Sequence, residues 1–440
     1  MQTLRAIAIL TMLLVSSVVA NAGPASMPFS SLPIEAQASI SAKLARSIPG
    51  LSWVKLAKLT ASDGLNSYQP SLGWAVSVSG NTVAVGASGA QIGQTDGQGA
   101  VYVFVKPRSG WKNMRQVAKL TASDGGYEAV LGVSVAILGN TIVAGAPGAT
   151  VGGNALQGEA YVFVKPIGGW KNMTQTAKLT ASDGQGQDLF GDSIAISGNT
   201  VAIGAEQMAR GSGKAYVFVM PAGGWTDMTQ TAELTPSKPV IDSIFGNAVA
   251  IDGDTVVVGE AYKNHAYIFL KPLTGWTNEN ETAELSATDA VTFDQFGYSV
   301  AVRYRTVVVG KPSLTHSGGA YVFVEPSGGW RNMTQTAKLS ASDGMPNDYF
   351  GSSVFTNGNL TLVGALNAAV GKGAAYVFVK PLKGWKTTSK FNRKLIAEDK
   401  AAGAFGASVG ISGKTAVIGA PATSLGKSTN QGAAYVFGEQ

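Results

Sequence analysis

The side chains with the most chemical potential in this chain are paired aspartates. Asp183 and Asp188, Asp289 and Asp294, and Asp343 and Asp348 each stand five residues apart. Carboxylates so spaced can hold a cation, grip a basic ligand, or divide acid and base roles. An Asp-Gly step also starts turns by bonding to its own backbone, which suits Asp183-Gly184 and Asp343-Gly344. Asp188 and Asp348 have no glycine beside them and lie just before a Phe-Gly step. Together with Asp294 they are candidate ligand-binding residues.

Other chemistry is thin. There is no cysteine, hence no disulfide framework and no thiolate metal site. The two histidines, His265 and His316, have no second histidine, thiol or Gly-x-Ser-x-Gly elbow beside them in the sequence. Gly371-Lys372-Gly373 is not a phosphate loop, because no Gly-Lys-Ser/Thr leads into a helix. Two carboxylates could cleave a glycoside, yet nothing singles out one pair. We therefore assign no catalytic residue, no metal ligand and no cofactor.

The tryptophans are periodic. Trp111, Trp170, Trp225, Trp276, Trp330 and Trp385 each follow Pro-x-x-Gly. Stacking on a sugar is one reading. Packing at the start of an outer strand explains the recurrence more simply. Trp53 and Trp74 stand outside this register, and Trp74 should lie near an inner strand.

The elements that must carry these residues are repeats. Phe190 to Ala205 reads FGDSIAISGNTVAIGA, and versions of it occur seven times. Each runs from a first glycine (Gly73, Gly132, Gly191, Gly246, Gly297, Gly351, Gly406) to a second one 13 residues later. Residues alternate on either side of a break such as Gly198-Asn199, which is the pattern of a β-hairpin with a two-residue turn. A strand of the type Tyr216-Val217-Phe218 follows, then one ending in Lys-Leu or Glu-Leu, as at Leu234. Four short strands per unit predict an all-β chain, a seven-bladed β-propeller of four-stranded antiparallel blades. The segment around Leu59 has no first three strands before it, and Tyr435 has no fourth after it. Residues 52–62 should therefore complete the sheet formed by 405–440, removing the open edges.

Length variation concentrates between strands two and three. From the second glycine to the tyrosine the spacing is 16, 16, 12, 8, 11, 12 and 16 residues. Loops on a rigid scaffold commonly carry recognition. This loop shares a rim with the link between blades, so we place any binding surface there. The long loops 87–100, 146–160 and 420–434 fall in adjacent blades of a closed ring. Gln91 and Asp96, in the first of these, join the candidate ligand-binding residues.

The flanks and composition bound the setting. Arg5 followed by the apolar Ala6 to Ala20 and by Ala20-Asn21-Ala22 reads as a secretory signal, residues 1–22, cleaved after Ala22. The apolar run is shorter than the ~20 residues of a spanning helix, and no later stretch qualifies. Residues 23–50 read as a linker, with Pro24, Pro28 and Pro33 before a short amphipathic helix over 34–48; 51–440 is the propeller domain. Losing Arg5 lowers the net charge from +6 to +5, without Lys or Arg clusters, so nucleic acid is not an expected partner. Asn172, Asn280, Asn332 and Asn359 match the N-glycosylation pattern.

Phe405-Gly406 with Gly419-Ala420-Pro421 spells out an FG-GAP motif, and Phe190-Gly191 with Gly204-Ala205 is a close variant. From Trp53 onward the chain resembles FG-GAP repeat proteins, best known from integrin α-subunit heads. That resemblance implies a seven-bladed propeller whose last blade takes its outer strand from the N-terminal side, and extracellular recognition or adhesion. Calcium-binding members carry an acidic D-x-D-x-D-G loop between strands one and two. Here that place holds Gly139-Asn140, Gly198-Asn199, Gly253-Asp254, Gly413-Lys414 or even Tyr304-Arg305. The expected protein is a secreted, monomeric, non-catalytic binding or adhesion module for an extracellular protein or glycan. A carbohydrate-active enzyme using rim or channel carboxylates and a structural matrix or surface component are the alternatives. Calcium takes six to eight oxygens around one point, which a two-residue turn does not supply. Calorimetric titration of the purified chain with calcium should therefore show no set of tight hairpin sites.

Overall fold

The computed structural model describes residues 53–63, 71–207, 211–291, 294–313, 315–425 and 430–439. The expected signal segment and linker lie outside these residues. The remainder is a ring of seven sheets. Blade 1 comprises Val76–Ser79, Thr82–Ala87, Ala100–Val105 and Ala118–Thr121. The others repeat that order, and blade 7 is split. Its third strand, Ala433–Glu439, pairs antiparallel with Trp53–Thr60, which brings Leu59 opposite Ala434. Closure is completed by a parallel bridge from Leu72 to Gly432 and by Ser408 Oγ donating to the Gly73 carbonyl at 2.9 Å.

The fixed spacing of glycines has a steric cause. Within a hairpin the first glycine donates its N–H to the carbonyl of the second, as Gly191 does to Gly204 at 3.0 Å. Between blades, the second glycine of one lies flat against the first glycine of the next. A Cβ on Gly86, Gly145, Gly204, Gly259, Gly310, Gly364 or Gly419 would fall 1.8 to 2.1 Å from that neighbour's carbonyl oxygen. The first glycine, with φ near +97° at Gly191, also occupies backbone space that side chains rarely enter.

The core lies between the blades. Seven buried clusters each join two neighbouring sheets. Strand alternation sorts side chains by size: in blade 3, Tyr216 and Phe218 face blade 2, while Ala215 and Val217 face blade 4. Large aromatic groups on one face thus meet small groups on the next. The residue before each first glycine, phenylalanine in five blades and leucine at Leu72 and Leu131, packs into this junction, Phe190 lying 5.5 Å from Tyr216 and 5.8 Å from Phe218. The six periodic tryptophans are buried in the same clusters, so they pack, as the recurrence implied. Trp53 is buried between blades 6 and 7.

One feature exceeds the four-strand reading. Five sheets have a fifth, two-residue edge strand contributed by the following blade. Met173-Thr174, from blade 2, pairs parallel with Leu120-Thr121 of blade 1. Side chains tighten this strap: Asn172 Oδ1 accepts from Lys119 N at 2.8 Å, and the Gln175 amide bonds both N–H and hydroxyl of Ser123. The recurring Asn-Met-Thr of the glycosylation pattern is therefore a strap element. Blade 7 draws its third and fourth strands from opposite ends of the described chain, so no such connection crosses blade 6, whose sheet keeps four strands.

If the glycine contact closes the ring, Gly145→Ala should lower unfolding free energy by several kcal/mol, roughly the range of severe core overpacking or more. Gly168→Ala, which meets nothing within 4 Å, should stay within about 0.5 kcal/mol in the same denaturant titration.

Candidate binding site on the acidic rim

The link entering each blade and the loop between its second and third strands share one rim, joined by bridges such as Gly213 to Phe245 and Gly318 to Phe350. On this rim the first aspartate of each pair is an inter-blade clasp. Asp183, at the exit of blade 2, accepts from Tyr216 Oη at 3.1 Å and lies 2.5 Å from Lys214 Nζ, both in blade 3. Asp63 holds Tyr102 and Lys119, Asp289 holds Tyr321 and Lys338, and Asp399 holds Lys58 and Tyr435 in the same way. Burial opposes ionisation at Asp63, Asp183 and Asp289, but the lysine and tyrosine donors outweigh it and hold each carboxyl below the ordinary range. The simple turn reading of Asp183 thus misses its main partners.

The second aspartates cap the turn before each hairpin. Asp188 Oδ2 accepts from Gln185 N at 2.7 Å, Asp294 Oδ2 from Val291 N at 3.2 Å, and Asp348 Oδ2 from Met345 N at 2.8 Å. They enter blades 3, 5 and 6 respectively, so the structure does not gather them into one site. Asp294 is also neutralised by Lys311 Nζ at 2.5 Å. Gln91 and Asp96 belong to a small hairpin closed between Ile92 and Thr95 on blade 1, away from all three. Gln91 is half-buried and Asp96 exposed. In that loop the inward-turned side chain is Gln98, whose Nε2 donates to the Ala122 carbonyl at 3.1 Å.

Blade 3 comprises Ser193–Ser197, Thr200–Ala205, Lys214–Val219 and Ala232–Thr235. A cavity of about 70 Å³ opens beside Asp188, lined also by Asp183, Gln185, Ala205, Gln207, Lys214 and Tyr216. Gln207 Nε2 donates to Asp188 Oδ1 at 3.1 Å. Burial raises the Asp188 carboxyl above its ordinary pKa.

The residue after the first glycine varies from blade to blade. There blade 3 places Asp192, blade 5 Tyr298 and blade 1 Trp74, the last two 43% and 51% exposed. Asp192 retains a little exposure, yet protein crowds it on nearly every side. That burial, reinforced by the neighbouring Glu206 carboxylate, pushes its pKa up to about 7. Glu206 is raised by burial too. Tyr298 lies within electrostatic reach of both carboxylates and of Tyr262 and Tyr349. Thus two acids of blade 3 share an electrostatic neighbourhood with phenols from three other blades.

Sequence reasoning missed this grouping, and it left His265 without companions. In blade 4, Lys238 stands where the clasp aspartate stands elsewhere, and Glu260 takes over: Tyr267 Oη donates to its Oε2 at 2.6 Å. Glu260 is 1% exposed, burial raises its pKa, and its Oε1 has no hydrogen-bond partner. His265 Nε2 lies 3.3 Å from Glu284 Oε1. The available signal was columnar: Glu260, Lys238 and Glu284 each break the residue type repeated in other copies.

With this geometry the architecture is that of a closed, repeat-built β-propeller. Seven stretches, 53–104, 114–163, 173–218, 228–269, 280–323, 333–378 and 390–437, match the FG-GAP repeat family, and the chain belongs to it. Each match begins at or shortly before the fourth strand of one blade, in five cases on its strap strand, and ends on the third strand of the next, so the family repeat itself crosses a blade junction. No curated protein matches the chain in a sequence comparison.

Because Asp192 has a raised folded-state pKa, its stabilising contribution is complete below the unfolded value near 3.8 and is lost as pH climbs through about 7. Asp192→Asn removes that penalty. The variant should unfold at a higher temperature than the parent at pH 8, and the gap should narrow as pH falls toward about 4 and close below the unfolded value in paired thermal melts.

Proposed function

We propose that this FG-GAP propeller is a secreted, non-catalytic binding module that takes an extracellular protein or glycan at the channel mouth and surrounding rim. The observation that carries the reading is the clustering of departures from the repeat. Asp192, Glu206, Tyr262 and Tyr298 come from three blades, the first three within electrostatic reach of Tyr298; Trp74 holds the corresponding post-glycine position in blade 1, and the three aromatic groups remain well exposed. Exposed aromatic faces beside hydrogen-bonding carboxylates suit the apolar face and hydroxyls of a sugar, or the anchor residue of a protein. Most other rim carboxylates are engaged in clasps and turn caps.

A second reading, a carbohydrate-active enzyme, draws on Asp192 and Glu206 alone, since adjacent acids with raised pKa values are a means of proton transfer. Release of reducing sugar by the parent and its loss in Asp192→Asn would favour that reading over simple binding.

The mature chain, screened on a glycan array and against extracellular proteins, should capture a ligand. Trp74→Ala and Tyr298→Ala should each weaken that capture roughly tenfold or more, as loss of an aromatic anchor does. Leu273→Ala, fully exposed in a turn between strands three and four, should leave it unchanged. Equal capture by all three variants would remove the mouth from the binding surface.

A further inference from the structure

The cavity in blade 3 has a filled counterpart in the same molecule. Blade 5 comprises Ser299–Arg303, Thr306–Lys311, Gly319–Val324 and Ala337–Leu339. Its Asp289, Asp294, Ser313 and Tyr321 occupy the places of Asp183, Asp188, Gln207 and Tyr216. The bonds correspond as well. Ser313 Oγ donates to Asp294 Oδ1 at 3.1 Å, as Gln207 Nε2 does to Asp188 Oδ1, and Tyr321 Oη donates to Asp289 as Tyr216 does to Asp183. The difference is the residue after the second glycine. In blade 5 it is Lys311, 6% exposed, whose ammonium sits 2.5 Å from Asp294 Oδ2, 3.4 Å from the Asp289 carbonyl and 5.7 Å from the centre of the Tyr321 ring. In blade 3 it is Ala205, and the cavity opens where that side chain would run.

We propose that the blade 3 cavity is a binding site for a primary ammonium group, which takes the place that Lys311 fills in blade 5. The charges support this assignment. In blade 5 two carboxylates, Asp289 and Asp294, face two ammonium groups, Lys311 and Lys338. In blade 3 three carboxylates share one: Lys214 lies 2.5 Å from Asp183 and 3.0 Å from Glu233, leaving Asp188 without a cation. Asp188 is 7% exposed, and its carboxyl is raised where the lysine-paired Asp294 is lowered. An arriving ammonium would meet the Asp188 carboxylate and the face of Tyr216, a combination of charge-assisted hydrogen bond and cation–π contact. The volume exceeds the roughly 10–15 Å³ that a single water needs. A divalent metal fits less well, because the Lys214 ammonium is part of the wall, and among the described residues no three acidic or imidazole groups converge on a metal position. The donor can be a free amine or the lysine of a protein ligand. The site is independent of the channel mouth, so its test does not depend on what binds there.

The test is thermal unfolding of the full chain at pH 7.5 and constant ionic strength, with methylammonium, tetramethylammonium or potassium chloride, and with an N-acetyl-lysine amide arm to examine a tethered amine. Methylammonium should raise the midpoint saturably, following the logarithmic dependence of ligand linkage. Tetramethylammonium, which has no N–H donor, and potassium should not. Ala205→Lys, which supplies the ammonium internally, should abolish the response. Asp188→Asn keeps the turn acceptor but not the charge and should weaken it roughly tenfold or more, which covers the case in which Ala205→Lys does not fold. Lys311→Ala should add a second responsive site. An unchanged response in Asp188→Asn, equal responses to all three salts, or no response to methylammonium in the parent would each overturn the proposal.

Discussion

The contact on which this molecule depends is a glycine pressed edge-on against the carbonyl of a glycine in the next sheet. It is repeated at every junction of the ring, and it leaves no room for even one carbon at Gly86, Gly145 or Gly204. This approach brings the inner strands near enough for side chains to bridge them. Ser134, Ser193, Ser299, Ser353 and Ser408 each donate to a first-glycine carbonyl in the following blade. In blade 4 the bridging residue is Asn247, whose amide donates to Gly297 at 3.2 Å. With the inner edge drawn tight, large aromatic faces outside it meet small ones across each junction.

The same ring explains why chemistry is confined to a few places. A sheet in a propeller is covered on both faces, so a polar side chain reaches solvent only at the rims, the outer edge or the axis. On the rim, most carboxylates are committed to holding one blade to the next. What is left for recognition is the set of positions where one blade differs from its siblings. Blade 5 has Lys311 where five blades, blade 3 among them, have alanine, and blade 4 exchanges its clasp aspartate for lysine and a buried glutamate. These substitutions change local charge without disturbing the glycine framework.

The hairpins, the ring closure through 53–60 and the packing role of the tryptophans were legible because each leaves a periodic mark in one dimension. The strap of Asn172, Met173 and Gln175 also recurs, but its partner lies in another repeat some fifty residues away, so its purpose does not show in its own neighbourhood. The candidate acids were harder. Asp183 and Asp188 are equally acidic and five residues apart, yet one clasps a tyrosine and a lysine across a junction and the other caps a turn beside a cavity.

By itself, the order of residues determined the number of blades, their strand content and the way the chain ends meet, because those follow from alternation and glycine spacing along a single chain. Only the tertiary structure decided which acids are paired and which are left over. Charge balance is a property of neighbours in space, and here the lysines and tyrosines that settle the rim carboxylates stand on strands well removed in sequence. Asp188 and Asp294 read alike in sequence; the lysine that separates their fates is on another strand.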